Sequence, residues 1–213
     1  MIYDIDIAKQ VAKSLLQINA IILQPNNPFK WAAGWNSPIY CDNRKTLSYP
    51  EIRNYIRQGL SAIVKNHYKG ANVIAGVATA GIPHGVLVAE ELGLPFIYVR
   101  AKAKEHGKKN QIEGHYEQGQ SVVLVEDLIS SGKSSLDSAE ILREAGMHVK
   151  GMVSIFTYGF DAATENFEAA DCEYVSLCDY NTLLPQAIES QYIEKSDLAI
   201  LQKWRENPSI WKK

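Results

Sequence analysis

The sequence predicts an α/β protein with a central parallel sheet flanked by helices, and three observations indicate this fold class. Strand-like and helix-like segments alternate from residue 72 onward, which is typical of parallel sheets with right-handed crossovers. The run from Val122 to Val125 is apolar at every position, as in strands buried on both faces. Since 46% of the 213 residues are hydrophobic, one domain spanning residues 1–213 has enough material for a core.

The first 48 residues are predicted to supply a helix and a small hood. Residues 29–42 are rich in aromatics and interrupted by Gly34 and Pro38, which predicts two short strands around a turn. A free-standing hairpin would expose these aromatics, so we expect it to cover another part of the protein. Residues 5–16 are predicted to form a helix whose apolar face carries Ile5, Ala8, Val11, Ala12, Leu15 and Leu16.

The remaining elements follow in chain order. A helix is predicted to start at Pro50 with Ser48 near its cap. The predicted strands cover residues 73–77, 95–100, 121–126, 149–156 and 174–177. The predicted helices cover residues 82–92 and 133–145, with Gly146 as the stop, and a final helix contains Trp204 and Trp211 and adds little about function. Residues 101–120 are polar and without periodicity, and a loop of this length in a compact domain is usually functional or disordered.

Composition excludes several classes of partner. The net charge of −2 argues against nucleic-acid binding, which usually needs a basic excess. The N-terminus has early acids and no signal-like apolar stretch, and no segment approaches a membrane span in length. Three cysteines, Cys41, Cys172 and Cys178, are too few and odd for a disulfide framework and fit a reducing compartment. We therefore expect a cytoplasmic protein with neither nucleic acid nor membrane as a partner.

The segment after the apolar run is the best candidate for a ligand site. Ligands of open parallel sheets bind beyond the carboxyl ends of the strands, and here the strand ends in Glu126 and Asp127 before a serine-rich turn that opens a helix. A helix N-terminus favours an anion, whereas paired acids suit sugar hydroxyls or a metal ion. An ordinary serine cap is the alternative, but adjacent acids add no packing and cost solvation when buried. A Walker A loop would need glycine at position 127, where an aspartate would repel phosphate.

Two further segments have the character of diphosphate sites. The turn from Gly76 to Gly81 is built of small residues, so its backbone can approach a phosphate closely, although tight packing explains it equally well. It lacks the Gly-x-Gly-x-x-Gly pattern of dinucleotide sites. Residues 100–109 are basic and begin at a strand's carboxyl end. Clustered cations there would stabilise the charge of a leaving pyrophosphate, and a closing loop would exclude water, whereas a solvated charged loop is the simpler interpretation.

The apolar strand, two acids and Ser/Gly turn together resemble the signature of type I phosphoribosyltransferases. The resemblance implies that Glu126 and Asp127 face the ribose hydroxyls of phosphoribosyl diphosphate (PRPP), and that residues 130–134 face its 5-phosphate. It also implies that the turn at residues 76–81 touches pyrophosphate. Several orotate enzymes have a lysine where this chain has Ala80.

Two segments resemble orotate phosphoribosyltransferases in particular: Arg100, Lys104 and His106 before Gly107, like that family's mobile catalytic lid, and the run Ser-Pro-Ile-Tyr-Cys-Asp-Asn-Arg at residues 37–44. The similarity covers about residues 5–185. It implies a homodimer in which the lid reaches the neighbouring subunit's site. The chain departs from the family at Ala101, where many members have a second lysine that Lys102 would have to replace, and at residues 157–160, where some members place an arginine beside orotate.

The resemblance implies transfer of the phosphoribosyl group from PRPP to N1 of orotate, giving orotidine 5′-monophosphate and pyrophosphate in UMP biosynthesis. Mg²⁺ is expected to be held mainly by PRPP oxygens rather than by the protein. The residues expected to stabilise the leaving group are Lys104, His106 and Arg100. The residues expected to bind PRPP are Arg100, Lys104, His106, Glu126, Asp127, Leu128, Ile129, Ser130, Ser131, Gly132, Lys133 and Ser134. The residues expected to bind orotate are Ser130, Lys30 and Arg44, the last two as cations for the carboxylate.

Three alternatives remain open from the sequence. The first is a phosphoribosyltransferase for another base. The hood, which is expected to lie over the acceptor base and resembles that of orotate phosphoribosyltransferases, argues against it. The second is a non-catalytic regulator that senses PRPP, but such proteins usually bind nucleic acid, and this chain has no basic excess. The third is a nucleoside-triphosphatase, which ATP hydrolysis would reveal.

Overall fold

The computed structural model describes residues 1–31, 34–101 and 111–211. The helices are α1 (Ile5–Gln17), α2 (Pro50–His67), α3 (Gly81–Leu92), α4 (Lys133–Glu144), α5 (Asp161–Ala169), α6 (Tyr180–Glu189) and α7 (Leu198–Glu206), with short 3-10 helices at Asn43–Ser48 and Lys195–Asp197. The strands are β1 (Ile21–Leu23), β2 (Phe29–Lys30), β3 (Asn36–Ser37), β4 (Ile39–Cys41), β5 (Val73–Val77), β6 (Phe96–Val99), β7 (Ile112–Glu113), β8 (Ser121–Ile129), β9 (His148–Thr157) and β10 (Tyr174–Asp179).

The main sheet has the strand order β10-β9-β8-β5-β6-β7. All neighbouring strands pair in parallel except β7, which runs antiparallel to β6 at the edge. The predicted parallel sheet with flanking helices is therefore confirmed. Because β5, β8 and β9 are neighbours and parallel, their carboxyl ends meet at one edge of the sheet.

Helices cover both faces of the sheet, which explains the uninterrupted apolar run of β8. Val123 and Val125 pack into a core with residues of α1, α2, α3, α6 and α7. Val122 and Leu124 face the other way, into a core with residues of α4 and α5. Successive side chains of a strand point to opposite faces, so a strand between two layers of helices needs apolar residues at every position, as predicted.

The hood consists of two small antiparallel sheets. β2 pairs with β3, and β4 pairs with β1, so the predicted pair of strands around a turn is confirmed and a further strand pair extends it. Trp31 lies with its ring centroid 5.3 Å from that of Tyr158, and its indole N–H donates to the Ile39 carbonyl oxygen at 3.1 Å. The hood thus covers the main domain through an aromatic contact.

Several boundaries differ from the sequence-based expectations. Ile5 is 55% exposed, since it stands at the first turn of α1, beyond the helices that bury the rest of its face. Asp4, whose carboxylate accepts from the backbone N–H groups of Asp6 and Ile7, caps α1. Ser48 ends a 3-10 helix, and Tyr49 precedes α2 without a side-chain cap. β8 continues through the two acids to Ile129 because it pairs with β9 along that length.

The sequence-based interpretation of the last third missed two helices and misjudged the end. α5 and α6 were not predicted, although each covers the sheet. α7 ends at Glu206, so Trp211 lies outside it. Part of the predicted loop at residues 101–120 forms β7, and residues 102–110 lie outside the described part of the chain. None of the described helices is long and apolar enough to cross a membrane.

Candidate active site

The acid pair lies on β8 just beyond the point where its pairing with β5 ends, while its pairing with β9 continues. Glu126 is 7% exposed, and its carboxylate accepts from the Ser135 hydroxyl at 3.0 Å and from the Asp127 backbone N–H at 2.9 Å. Burial raises the pKa of Glu126 well above its usual range, and the adjacent charge of Asp127 raises it further. Burial also raises the pKa of Asp127, against the opposing effects of hydrogen bonding with Glu126 and the charge of Arg44.

These shifts describe a pair of acids that favours fewer than two negative charges when nothing is bound. Two carboxylates that share a poorly solvated site repel each other, so one retains its proton more strongly. Hydroxyl donors or a cation placed against them would favour the ionised forms. The pair is therefore suited to a ligand that brings sugar hydroxyls or a metal ion.

The serine-rich turn after β8 is shaped by a glycine and supported by α5. Gly132 has φ +75° and precedes α4, which has no side-chain cap. A Cβ at Gly132 would overlap the ring of Phe167, and the Asn166 amide donates to the Ser131 carbonyl oxygen at 2.9 Å. The first helical bond runs from Leu136 N–H to the Gly132 carbonyl. The backbone N–H groups of the residues before Leu136 have no acceptor within the helix, so they can donate to a bound phosphate.

The turn from Gly76 to Gly81 lies directly against the acid pair. A Cβ at Gly81 would overlap the Val125 carbonyl oxygen and approach the Glu126 Cα at 3.3 Å. Only glycine permits two backbones to approach this closely. The predicted pyrophosphate turn therefore lies against the strand that leads into the predicted phosphate turn. The Ala78–Thr79 peptide bond in this turn is cis, and the Ala78 N–H donates to the Val99 carbonyl at 3.0 Å.

Arg100 stands at the mouth of a cavity beside these turns. A cavity of about 400 Å³ is bordered by Val77, Ala78, Arg100 and Ser134. The Arg100 guanidinium lies 3.4 Å from the Glu113 carboxylate of the edge strand, so this cation is held at the sheet edge. The other predicted lid residues, Lys104 and His106, lie outside the described residues, and their roles remain predictions.

The hood brings a cation and a buried amide to the acid pair. The Arg44 Nε lies 2.6 Å from Asp42 Oδ1, and this contact lowers the pKa of Asp42. The charge of Arg44 also acts to lower the pKa of Asp127. The Asn43 side chain is fully buried, and its amide donates to the Asp127 carbonyl oxygen at 2.7 Å. Lys30 is exposed on β2, so its predicted contact with orotate remains a prediction.

Sequence reasoning singled out the acids and the turn but missed the residues that hold them in place. These residues are Asn43, Ser135, Asn166 and Phe167. Asn43 lies within the run that resembles the family, so the sequence could have indicated this residue. The other three have ordinary identities, and only tertiary contacts distinguish them.

Glu126 and Asp127 could contribute ligands to a metal ion, but they do not form a metal site by themselves. Within residues 1–31, 34–101 and 111–211, no group of three or more His, Cys, Asp or Glu side chains is placed to hold a metal ion. Mg²⁺ prefers oxygen ligands and commonly binds through one or two carboxylates plus substrate phosphates. Glu126 and Asp127 fit that manner of binding.

The strand arrangement and the grouping of these turns indicate the family to which the protein belongs. A parallel sheet that presents an acid pair, a helix-opening phosphate turn and a small-residue turn at one edge is the architecture of phosphoribosyltransferases, and residues 48–179 match the family model "Phosphoribosyl transferase domain". The structure of UMP synthase from Leishmania donovani is similar with a TM-score of 0.79 and 28% identity over 93% of this chain, which spans 42% of that protein.

More similar sequences narrow the class. The orotate phosphoribosyltransferase of Cytophaga hutchinsonii is 53% identical over 96% of this chain and 98% of its own length. The crystal structure of orotate phosphoribosyltransferase from Aeropyrum pernix has a TM-score of 0.75 and 27% identity, over 86% of this chain and 99% of that one. The chain belongs to the orotate phosphoribosyltransferase family.

Proposed function

We propose that this protein transfers the 5-phosphoribosyl group of PRPP to N1 of orotate, forming orotidine 5′-monophosphate and pyrophosphate, a step of UMP biosynthesis. The observation that carries the proposal is the contact between the buried acid pair and the uncapped, serine-rich start of α4. The acids accept hydrogen bonds from the ribose hydroxyls, and the free backbone N–H groups of residues 131–135 donate hydrogen bonds to the 5-phosphate. Sequence identity near 50% to orotate phosphoribosyltransferases supports the choice of substrate.

The leaving pyrophosphate faces the turn at residues 76–81 and the cations of the lid. As the bond from C1′ to pyrophosphate oxygen breaks, C1′ gains positive character and the pyrophosphate gains negative charge. Arg100, Lys104 and His106 stabilise that charge, and the N1 nitrogen of orotate forms the new bond to C1′ and releases its proton to solvent. Glu126 and Asp127 would lie beside a Mg²⁺ ion held mainly by PRPP oxygens, and that ion would neutralise charge on the leaving group.

The acceptor base is placed under the hood. Orotate is planar and anionic, and the hood offers an aromatic cover together with Arg44, whose charge acts on Asp127. Because the Arg44 side chain is 61% exposed, it can turn from Asp42 toward a carboxylate. Lys30 and Ser130 complete the proposed contacts to orotate.

The proposal includes a homodimer whose lid closes over the neighbouring subunit's site, and a cytoplasmic location. The first rests on the resemblance of residues 100–107 to the family's lid. The second rests on three unpaired thiols, Cys41, Cys172 and Cys178, which fit a reducing compartment.

The deciding experiment measures loss of orotate absorbance with PRPP and Mg²⁺, with uracil and hypoxanthine as parallel acceptors. We expect the protein to consume orotate but neither uracil nor hypoxanthine. An Asp127→Asn variant should lose most of the activity toward orotate. Turnover of another base in preference to orotate would contradict the proposed acceptor. PRPP binding by calorimetry without any turnover would instead indicate a non-catalytic PRPP-binding protein.

A further inference from the structure

The C-terminal helix α7 packs against both the hood and the loop that follows β9. Trp204 is fully buried, with ring centroids 5.5 to 5.8 Å from those of its neighbours. The neighbours are Trp31, Tyr158, Phe160 and Tyr180. Trp31 belongs to the hood, whereas Tyr158 and Phe160 belong to the loop after β9. One indole ring therefore fixes two parts of the acceptor side relative to each other.

Arg205, the next residue, fixes the backbone of that loop. Its Nε donates to the Tyr158 carbonyl oxygen at 3.3 Å, and its Nη2 donates to the Gly159 carbonyl oxygen at 2.7 Å. Gly159 has φ +63°, a left-handed conformation that favours glycine. A charged guanidinium that bonds to two successive carbonyls determines both their position and their direction.

The loop is in turn bonded to the strand that carries the acids. The Tyr158 N–H and the Thr157 hydroxyl both donate to the Ile129 carbonyl oxygen, at 3.1 and 3.3 Å. Ile129 directly precedes Ser130, the first residue of the phosphate turn. The Tyr158 ring also contacts Trp31 of the hood, with ring centroids 5.3 Å apart, so Tyr158 joins the hood to the strand that carries the acids.

Resting on the proposed function, we infer that α7 is a positioning element for the acceptor base, with Arg205 and Trp204 as its positioning residues. Neither acts on the reacting atoms. Arg205 sets the loop at residues 157–160, and Trp204 sets the hood above it. The phosphate turn has separate support from α5 through Asn166 and Phe167. Loss of the α7 contacts therefore weakens binding of orotate more than binding of PRPP.

The test compares Michaelis constants for the two substrates in Arg205→Ala and Arg205→Lys. We expect Arg205→Ala to raise the KM for orotate about tenfold, as small misplacements of binding groups do, with the KM for PRPP changed less than twofold. Arg205→Lys keeps the charge but lacks the planar fork of N–H donors that spans the two carbonyls, so its KM for orotate should be intermediate. Lys203→Ala removes an exposed cation from the same helix and is the matched control.

Each further outcome decides the inference. An unchanged KM for orotate in folded Arg205→Ala, or equal rises for both substrates, would overturn it. If Arg205→Ala does not fold, Arg205→Lys and Trp204→Phe carry the test by the same criterion. If the native protein forms no orotidine 5′-monophosphate, the proposed function fails, and hydrogen exchange decides the physical link separately. Faster exchange of the Tyr158 amide in Arg205→Lys would then support the role of Arg205, and unchanged exchange would oppose it.

Discussion

Gly132 is the residue on which the shape of the phosphate turn most depends. Its φ of +75° is one that residues with a side chain adopt at a cost, and a Cβ there would meet the Phe167 ring. Both effects act on the backbone amides proposed to bind the 5-phosphate. A single methyl group thus displaces the turn from α5.

We expect Gly132→Ala to destabilise the protein by about 1–3 kcal/mol and to raise the KM for PRPP more than that for orotate. Gly70→Ala is the control, because Gly70 has φ +82° but no atom within 4 Å of its Cβ position. It carries the backbone cost without the clash. Urea denaturation and substrate titrations check both variants, and equal effects on PRPP binding would count against a role for the Phe167 contact.

His84 is a buried residue that links stability to pH. It is 1% exposed, and its Nε2 has no hydrogen-bond partner within the described part of the chain. Burial lowers the pKa of His84 to about 4, because the charged form would lose its hydration in the core. The folded protein therefore resists a protonation that the unfolded chain accepts near pH 6.5.

The sign of the effect follows from these two pKa values. Between pH 6.5 and 4 the unfolded state binds the extra proton, so the contribution of His84 to stability is present above pH 6.5 and is lost as the pH falls. The loss reaches about 3 kcal/mol at most. We expect His84→Met to flatten the decline of the unfolding free energy between pH 7 and 4, with the exposed His148→Met as control. Equal slopes for the two variants would exclude this role of His84.

At the scale of elements, the segment between β6 and β7 is the one proposed to close over the reacting groups. Arg100 at its start is held 3.4 Å from Glu113, a side chain on the strand to which the segment returns. An antiparallel pair of strand ends gives a lid a fixed base, since both of its ends are bonded into the same sheet edge.

We expect Lys104→Ala to lower turnover roughly a hundredfold, since removal of one preorganised electrostatic partner has about that effect. The free energy of unfolding should change little. Lys150→Ala, an exposed cation near the start of β9, is the control. Steady-state kinetics and a thermal melt give both quantities. Turnover near that of the native protein would exclude Lys104 from the mechanism.

At the scale of the whole molecule, the proposed dimer makes each active site a joint product of two subunits. If the lid acts on the neighbouring site, a subunit with a defective lid still supplies an intact acid pair, and a subunit with a defective acid pair still supplies an intact lid. Mixing the two kinds then restores one complete site per hybrid dimer.

We therefore expect a refolded equimolar mixture of Lys104→Ala and Asp127→Asn to recover about a quarter of native activity, since half of randomly paired dimers are hybrid and each has one complete site. The separate variants should remain weak. Sedimentation should give the mass of a dimer. Activity of the mixture no greater than the mean of the two variants would mean that each lid serves its own subunit.

Local patterns in the sequence were enough to predict the sheet and the chemistry at the carboxyl ends of its strands. An apolar run such as residues 122–125 is compatible with little except a strand covered on both sides, and Glu126 with Asp127 at its end has no use in packing. Glycines mark close backbone approach before any coordinates exist, as at Gly81 and Gly132. These are local properties, so composition and spacing carry them.

The residues that hold those strand ends in place could be identified only from contacts in the folded protein. The continuation of β8 to Ile129 depends on pairing with β9, and Glu126 is held by a hydrogen bond from Ser135 in the first turn of α4. α7 shows the difference most clearly, because the sequence assigned it little, whereas Trp204 and Arg205 contact the hood and the loop at residues 157–160. The physical reason is that such contacts join residues far apart in the chain, and the energy of a buried ring or a bonded carbonyl depends on the partner that folding brings to it.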